Sequence, residues 1–272
     1  MLSLLIDALE YGTLGRMTAI TSAGRTARER ARAELTREIK QEARRQLAAH
    51  GAQGLSLRAV ARELGMVSSA LYRYFPSRDE LLTALIIDAY DALGDTAEAA
   101  DAGRPPGDIR GRWEATCHAV RDWALAHPHE YALIYGSPVP GYQAPQATVA
   151  PAARVARVAG GMMADAWREA REASGDVRGP DGDIPAADGR SRGAAAPQRP
   201  LPPELAGQAA VVADAIAPGV PEPVIARLLI AWTQLFGMIS FELFGQFVGS
   251  ADPAGAFFGY AVEQMADFIG LP

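Results

Sequence analysis

The 272-residue chain has one cysteine, Cys117, one lysine, Lys40, and four histidines. A lone thiol excludes an intramolecular disulfide framework and any zinc module built on several thiolates. His118, His127 and His129 lie near Cys117 in sequence, but HxxxH, HExxH and CxxC spacings are missing, so no metal and no cofactor are expected. Alternating apolar and polar segments are missing too, as is any Asn-Gly hairpin turn, which removes sequence support for a sheet. There is no GxSxG, no P-loop and no GxGxxG followed by an acidic residue, and the expectation is that the chain is not an enzyme. Cys117 and His118 make no dyad, because adjacent helical residues point about 100° apart. Nor is there an uninterrupted apolar run of the ~20 residues a membrane span needs. A span drawn around Leu228–Phe241 takes in Arg227, Gln234, Glu242 and Gln246. The apolar start at Met1 lacks a positive region and is broken by Asp7 and Glu10. A cytoplasmic chain with no membrane partner is expected.

What is present is helical spacing. Residues 27–50 contain neither Gly nor Pro, and Ala31, Leu35, Ile39, Ala43 and Leu47 recur every four residues. Arg30, Arg37 and Arg44 line another side of that helix, and His50-Gly51 ends it. Ser56 is an N-cap for a short helix burying Leu57, Val60, Ala61 and Leu64, and Gly65 closes it. A third helix fits Ser68 to Phe75, stopped by Pro76. Ser77 caps a fourth, with Glu80 three residues on completing a capping box, and this helix runs to about Ala100. Further helices are expected over 108–126, from Pro128 through Ile134, and over 148–173, 222–248 and 253–269. Residues 1–26 read as a flexible extension and 174–203, crowded with Gly, Pro, Asp and Arg, as a flexible insertion. The fold class is therefore all-α: an N-terminal three-helix unit over 27–90, joined to a larger helical domain over 91–272.

The informative stretch is 54–82, a helix, a turn around Gly65-Met66-Val67, a second helix and a capped third. A compact helix-turn-helix of this kind lays its second helix in the major groove of DNA, whose width fits an α-helix. Ser68, Ser69, Tyr72, Arg73 and Tyr74 fall on the exposed side, while Leu71 and Phe75 anchor the helix. Arg73 has the chemistry to donate to guanine or phosphate, and the tyrosine hydroxyls suit phosphate oxygens. Helix starts at Ser56 and Ser77, with Arg58 and Arg78 beside them, aim backbone N–H groups at phosphates. A solvated face on an ordinary helical hairpin would carry the same basic residues.

The ordered set Gly54-Leu55-Ser56 … Val60-Ala61-x-x-Leu64-Gly65 … Ala70-Leu71-Tyr72-Arg73-Tyr74-Phe75-Pro76-Ser77-Arg78-x-Glu80-Leu81-Leu82 resembles the DNA-binding domain of the tetracycline-repressor (TetR) family over about residues 30–90. The resemblance implies an all-helical homodimeric repressor with a ligand-sensing C-terminal domain. It places Ser56 and Arg58 on phosphate, Ser68, Ser69 and Arg73 on bases, and Tyr72, Tyr74 and Arg78 on the DNA backbone; Arg44, on the basic side of the 27–50 helix, is also expected on DNA. Val67 stands where the family usually has a Ser cap, so the third helix starts at Ser68. Trp232-x-x-Leu235-x-Gly237-x-Ile239-Ser240-x-Glu242-Leu243-x-Gly245 is similar to the C-terminal domain type named for its Trp-His-Gly signature, without its histidine.

Three further expectations follow. A net charge of −6 argues against a polyanionic partner, yet residues 25–78 carry +7, which leaves −13 on the rest. The local value agrees with a double-stranded DNA operator as partner and with an acidic body that disfavours non-specific lying along DNA. Helical spacing puts Leu228, Trp232, Leu235 and Ile239 on one helix and Phe257, Ala261, Met265 and Phe268 on the next, a four-helix homodimer interface by two-fold symmetry or else an internal core. Trp113, Cys117, Tyr131, Tyr135, Met162, Met163, Trp167 and Phe236 supply the aromatic and Met surface of a site for a small apolar or aromatic effector, although each also suits a core. The competing class is a helical dimeric sensor or interaction protein that does not bind DNA specifically.

Overall fold

The computed structural model describes residues 27–173 and 200–272, so the expectations for 1–26 and 174–199 lie outside the described residues. Every regular element among the described residues is helical. In chain order the α-helices are α1 (Ala27–His50), α2 (Leu57–Glu63), α3 (Ser68–Leu71), α4 (Arg78–Ala102), α5 (Ile109–Ala126), α6 (Pro128–Tyr135), α7 (Val149–Ala152), α8 (Arg154–Ala173), α9 (Pro203–Ile216), α10 (Glu222–Leu243) and α11 (Gly255–Ile269). The chain forms two compact units that cross the boundary expected near residue 90. The first comprises the described residues up to Ala97, with Ala119–Arg154 and Ile239–Gln246; the second comprises Glu98–His118, the described residues of Val155–Met238, and Phe247–Pro272.

In the first unit, α1 buries Ile39, Ala43 and Leu47 from the anticipated stripe, but everything from Ala27 to Glu34 is exposed. The helix ends where Gly51 takes φ +67°, a left-handed conformation that costs a glycine nothing. Ser56 caps α2 by accepting from the Ala59 N–H at 3.4 Å, and its own N–H donates to the buried Gln46 side chain at 3.3 Å. Gly65, at φ +64°, makes the turn into α3. The third helix is shorter than expected. It starts at Ser68 but is α-helical only to Leu71, after which Arg73, Tyr74 and Phe75 donate to Ala70, Leu71 and Leu71 as a tightened turn. Ser77 Oγ then accepts from the Glu80 N–H at 3.1 Å and opens α4. Leu71 and Phe75 join Leu55, Leu57, Val60, Leu81, Leu82, Leu85 and Tyr90 in one core, against which Leu133, Ile134 and Tyr135 of α6 also pack.

In the second unit each of the helices buries apolar side chains, among them Ile109 and Cys117 of α5, Met162 and Met163 of α8, Ile225 and Leu228 of α10, and Phe258 and Val262 of α11. Trp113 buries its ring and donates from Nε1 to the Val262 carbonyl at 3.2 Å. Arg112 is buried beside it, with Nε 2.7 Å from Asp101 and Nη1 2.8 Å from Asp165, so a charge taken out of water meets two carboxylates. Gly160 brings α8 so close to the end of α9 that an added Cβ would fall on the Ile216 carbonyl group. By length and composition α10 would cross a membrane, yet half of its most apolar window is buried inside the protein, which is how a core helix passes the same test.

Candidate nucleic-acid interface

The first unit presents the α3 turn with one side in the core and the other in water. Leu71 is fully buried and Phe75 nearly so, whereas Ser69, Tyr72 and Arg73, three and four residues apart, are exposed. Ser68 and Tyr74 are half-buried at its edges. Val67, which precedes α3, is 69% exposed and caps nothing with its side chain. The start of α3 at Ser68, behind a Val67 that does not cap, is as expected from the sequence.

Ion pairing narrows the local positive charge. Arg37 pairs with Glu34, Arg45 with Glu42 and Arg62 with Glu63. Arg58, at the start of α2, and Arg73, on the turn, are exposed and have no carboxylate partner among the described residues. These two therefore leave their charge available to a polyanion. Ser56 is half-buried and its hydroxyl already serves as the α2 cap.

Two residues anticipated on DNA have partners within the unit. Arg44 turns to Asp88 of α4 at 2.7 Å and to Glu130 of α6 at 3.2 Å, and Lys40 shares the same Asp88 at 2.7 Å. Its charge is balanced inside the unit. Arg78 donates from Nη2 to the Ala52 carbonyl at 2.8 Å and from Nε to the Leu55 carbonyl at 3.2 Å. Those donors tie down the α1–α2 loop, where the Ala52 carbonyl also accepts from the Leu55 N–H at 3.4 Å.

Family models match both halves of the chain. The model described as bacterial regulatory proteins of the tetR family covers residues 39–85, and the tetracyclin repressor-like C-terminal domain covers residues 113–265. The chain belongs to the TetR family. HTH-type transcriptional regulators of Mycobacterium tuberculosis and Mycobacterium bovis are 42% identical to it over 220 residues, 81% of this chain and 85% of theirs. A crystal structure of SCO4313, described as a regulatory protein, is 33% identical, covers 89% of this chain and all of that one, and superimposes with a TM-score of 0.64. A Rhodococcus sp. RHA1 protein, 23% identical over 86% of this chain and 93% of its own, shares the fold at a TM-score of 0.54.

In this TetR-family regulator the residues anticipated for effector binding divide between the units. Tyr131 and Tyr135 are in the first, where Tyr131 is buried with its hydroxyl 2.8 Å from Ser240 Oγ and the two rings lie 5.1 Å apart. Burial pushes the Tyr131 hydroxyl up to about 12 and the Tyr135 hydroxyl well above its usual value. The second unit holds Trp113, Cys117, Met162, Met163 and Phe236, all buried, and Trp167, half-buried. Burial also raises the Cys117 thiol, so it stays protonated and does not act as a thiolate at neutral pH. His127 stacks on Trp123 with its Nδ1 2.9 Å from the Trp123 carbonyl, and His118 meets the Phe258 ring edge. Among the described residues no His, Cys, Asp and Glu group could hold a metal. Arg121 and Glu242, joined by two bonds of 2.7 and 2.5 Å, were not anticipated; with Tyr131–Ser240 they fasten the end of α10 to α5 and α6.

The anticipated dimer residues differ in exposure within the single chain. Leu228, Leu235, Ile239, Ala261 and Met265 are buried within the protomer and have no surface to offer a second copy. Trp232 is half-buried against Phe236. Only Phe257 and Phe268 of that set are exposed, together with Ile230 and a 62% exposed Tyr260. Spacing gave the right helices, but α10 is apolar almost all round, and the periodicity could not say which face points outward.

Proposed function

We propose that this TetR-family protein is a ligand-responsive repressor that binds a palindromic operator as a homodimer and is released by a small apolar or aromatic molecule. The observation that carries the DNA reading is the α3 turn, which buries Leu71 and Phe75 and leaves Ser69, Tyr72 and an unpaired Arg73 in solvent. Arg73 and Ser69 suit base edges, and Tyr72 and Arg58 suit phosphates. Ser68 and Tyr74 flank them, and Ser56 fixes the start of α2. The two-fold axis is assigned to the exposed stripe Phe257, Tyr260 and Phe268 on α11, with Ile230 on α10, because apolar side chains at helical spacing in water call for a cover. Two turns of one dimer, about 34 Å apart, then meet successive major grooves. The candidates for effector contact are Tyr131 and Tyr135 within the first unit and, separately, Trp113, Cys117, Met162, Met163, Trp167 and Phe236 within the second. The reading assigns the protein to the cytoplasm and gives it no catalytic step.

Selection of bound fragments from genomic DNA, followed by titration of the recovered fragment at several salt concentrations, tests this. Affinity should fall steeply with salt, with a logarithmic slope of about −0.9 per phosphate contacted. Arg73→Ala and Tyr72→Ala should each weaken specific binding, and a ligand that releases the fragment should in turn bind more weakly to the DNA complex. If no fragment is bound, or binding ignores salt, the repressor reading fails and the DNA-independent sensor reading takes its place.

A further inference from the structure

The α3 turn is held in the core on one side, by Leu71 and Phe75, but its far end is left with a carbonyl that the i+3 backbone N–H of the turn cannot serve. In the series that closes the turn, Arg73 donates to Ala70 at 3.3 Å and Tyr74 to Leu71 at 2.8 Å. Continued one step further, the donor for the Arg73 carbonyl at the same i+3 spacing is residue 76. That residue is Pro76, which has no N–H. The Arg73 carbonyl instead accepts from Nη2 of Arg32 at 3.3 Å. The same guanidinium lies with its carbon 5.0 Å from the centre of the Tyr74 ring, within range of a cation–π contact.

Arg32 reaches this point from the second turn of α1, where every residue from Ala27 to Glu34 is exposed. No carboxylate pairs with it among the described residues. Its contacts are thus the main chain of Arg73 and the face of Tyr74, two consecutive residues of the turn. We propose that Arg32 is a positioning residue of the DNA-reading turn: it supplies the hydrogen bond that Pro76 cannot, and thereby fixes the direction in which Arg73 leaves the backbone. The proposal rests on the DNA reading for its consequence, but its structural part stands on the free protein.

Fixing direction affects discrimination more than attraction. A residue that merely adds a phosphate contact strengthens binding to all sequences alike, and its loss lowers the salt slope by about 1. A residue that aims Arg73 instead changes the ratio of specific to non-specific affinity while the slope is unchanged. One hydrogen bond and one exposed cation–π contact set the size of the effect at about threefold to tenfold in that ratio.

The test uses the full chain carrying Arg32→Ala, Arg32→Lys, Arg32→Gln or Tyr74→Leu. Hydrogen exchange of the Arg73, Tyr74 and Phe75 amides is followed in the free protein. Titrations then use a fragment recovered by genomic selection and a scrambled fragment of the same length. Arg32→Ala should speed exchange at these amides and lower the specificity ratio threefold to tenfold at constant salt slope, on the contact energies above. Lysine, which keeps a cation over the ring and a donor, should restore part of both effects, and glutamine less. Arg32→Ala added to Tyr74→Leu should cost less than the two separately. Unchanged exchange in Arg32→Ala overturns the proposal whether or not DNA is bound. Equal losses on both fragments with a lower salt slope also overturn it, in favour of a phosphate contact. Faster exchange in a protein that binds no fragment refutes the repressor reading and leaves the anchoring of the turn intact.

Discussion

Nε of Arg44 lies 3.2 Å from Glu130, so α1, the helix that precedes the helix-turn-helix, is ion-paired to α6, a segment 86 residues further along the chain. Asp88 of α4 completes the cluster by taking both Arg44 and Lys40 at 2.7 Å. Glu130 precedes Tyr131, whose hydroxyl meets Ser240 of α10, and within the first unit a run of direct contacts therefore leads from α10 through α6 to α1. Of the helices that meet here, α1 overlaps the tetR-family match over 39–85 and α6 falls in the C-terminal domain match over 113–265, with α4 between them in sequence.

The two carboxylates of this cluster should respond unequally to removal. Glu130→Gln breaks one partly exposed pair and leaves Arg44 with Asp88, a loss of under ~1 kcal/mol. Asp88→Asn leaves Lys40 and Arg44 side by side with only Glu130 between them. A larger loss is expected, about 1–2 kcal/mol, reduced by added salt. Urea unfolding of the two variants and the double variant checks this, and a larger effect from Glu130→Gln than from Asp88→Asn contradicts it.

Neighbouring glycines on α8 should give opposite signs. A Cβ on Gly160 meets the main chain of Ile216, with the carbonyl carbon at 2.8 Å, whereas one on Gly161 meets nothing within 4 Å. Alanine gains about 1 kcal/mol over glycine inside a helix. At Gly161 that gain is unopposed, and Gly161→Ala should raise the melting temperature. At Gly160 the clash is with backbone that cannot rotate away, and a strain of about 1–3 kcal/mol exceeds the gain. Gly160→Ala should melt lower than the parent, and a stabilised Gly160→Ala would mean that α8 and α9 are not packed as described.

What the sequence made legible was the chemistry that acts over one helical turn. Ser56, Gly65 and Ser77 with Glu80 all act through partners three to five residues away, and the structure places each where its spacing demands. The partners of Arg44 and Arg78 are not legible in the sequence because they are far off in it: Asp88 is 44 residues from Arg44, and the Leu55 carbonyl is 23 from Arg78. An exposed-looking arginine reads the same whether its carboxylate is distant or missing. Leu228 and Ile239 were open to two readings for a different reason. A helix apolar on nearly every side has no direction written into its spacing, and only the packing of α10 separates core from surface.

Val67→Ser should trade recognition for stability. Val67 holds the N-cap backbone geometry of α3, φ −70° and ψ 137°, but its side chain makes no cap bond. Serine there would accept from an amide of the first turn, as Ser56 does for α2, and should raise stability by about 1 kcal/mol in chemical denaturation. Under the proposed function the exposed valine also faces the groove, where a branched apolar group contacts the thymine methyl. The serine variant should therefore be more stable and less selective for thymine at one operator position. A variant that is no more stable contradicts the capping geometry, and unchanged selectivity removes Val67 from the reading surface.

Alkaline pH should weaken the first unit through its buried tyrosines. Burial raises the hydroxyls of Tyr90 and Tyr131 to about 12. An unfolded tyrosine loses its proton near ~10. Between those values the unfolded chain binds fewer protons than the folded one, so stability is complete below the unfolded pKa and declines as pH rises toward the folded one. The decline is at most about 1.4 kcal/mol per pH unit for each tyrosine. Tyr131→Phe separates two effects of the same hydroxyl. At neutral pH it loses the 2.8 Å bond to Ser240 and about 1 kcal/mol of stability. Above about pH 10 it also removes one titrating group, so its stability should fall less steeply than that of the parent and the two curves should converge. Denaturation curves from about pH 8 to about pH 12, with tyrosinate absorbance followed in parallel, measure both terms. Parallel curves across that range would place the Tyr131 hydroxyl in water and away from Ser240.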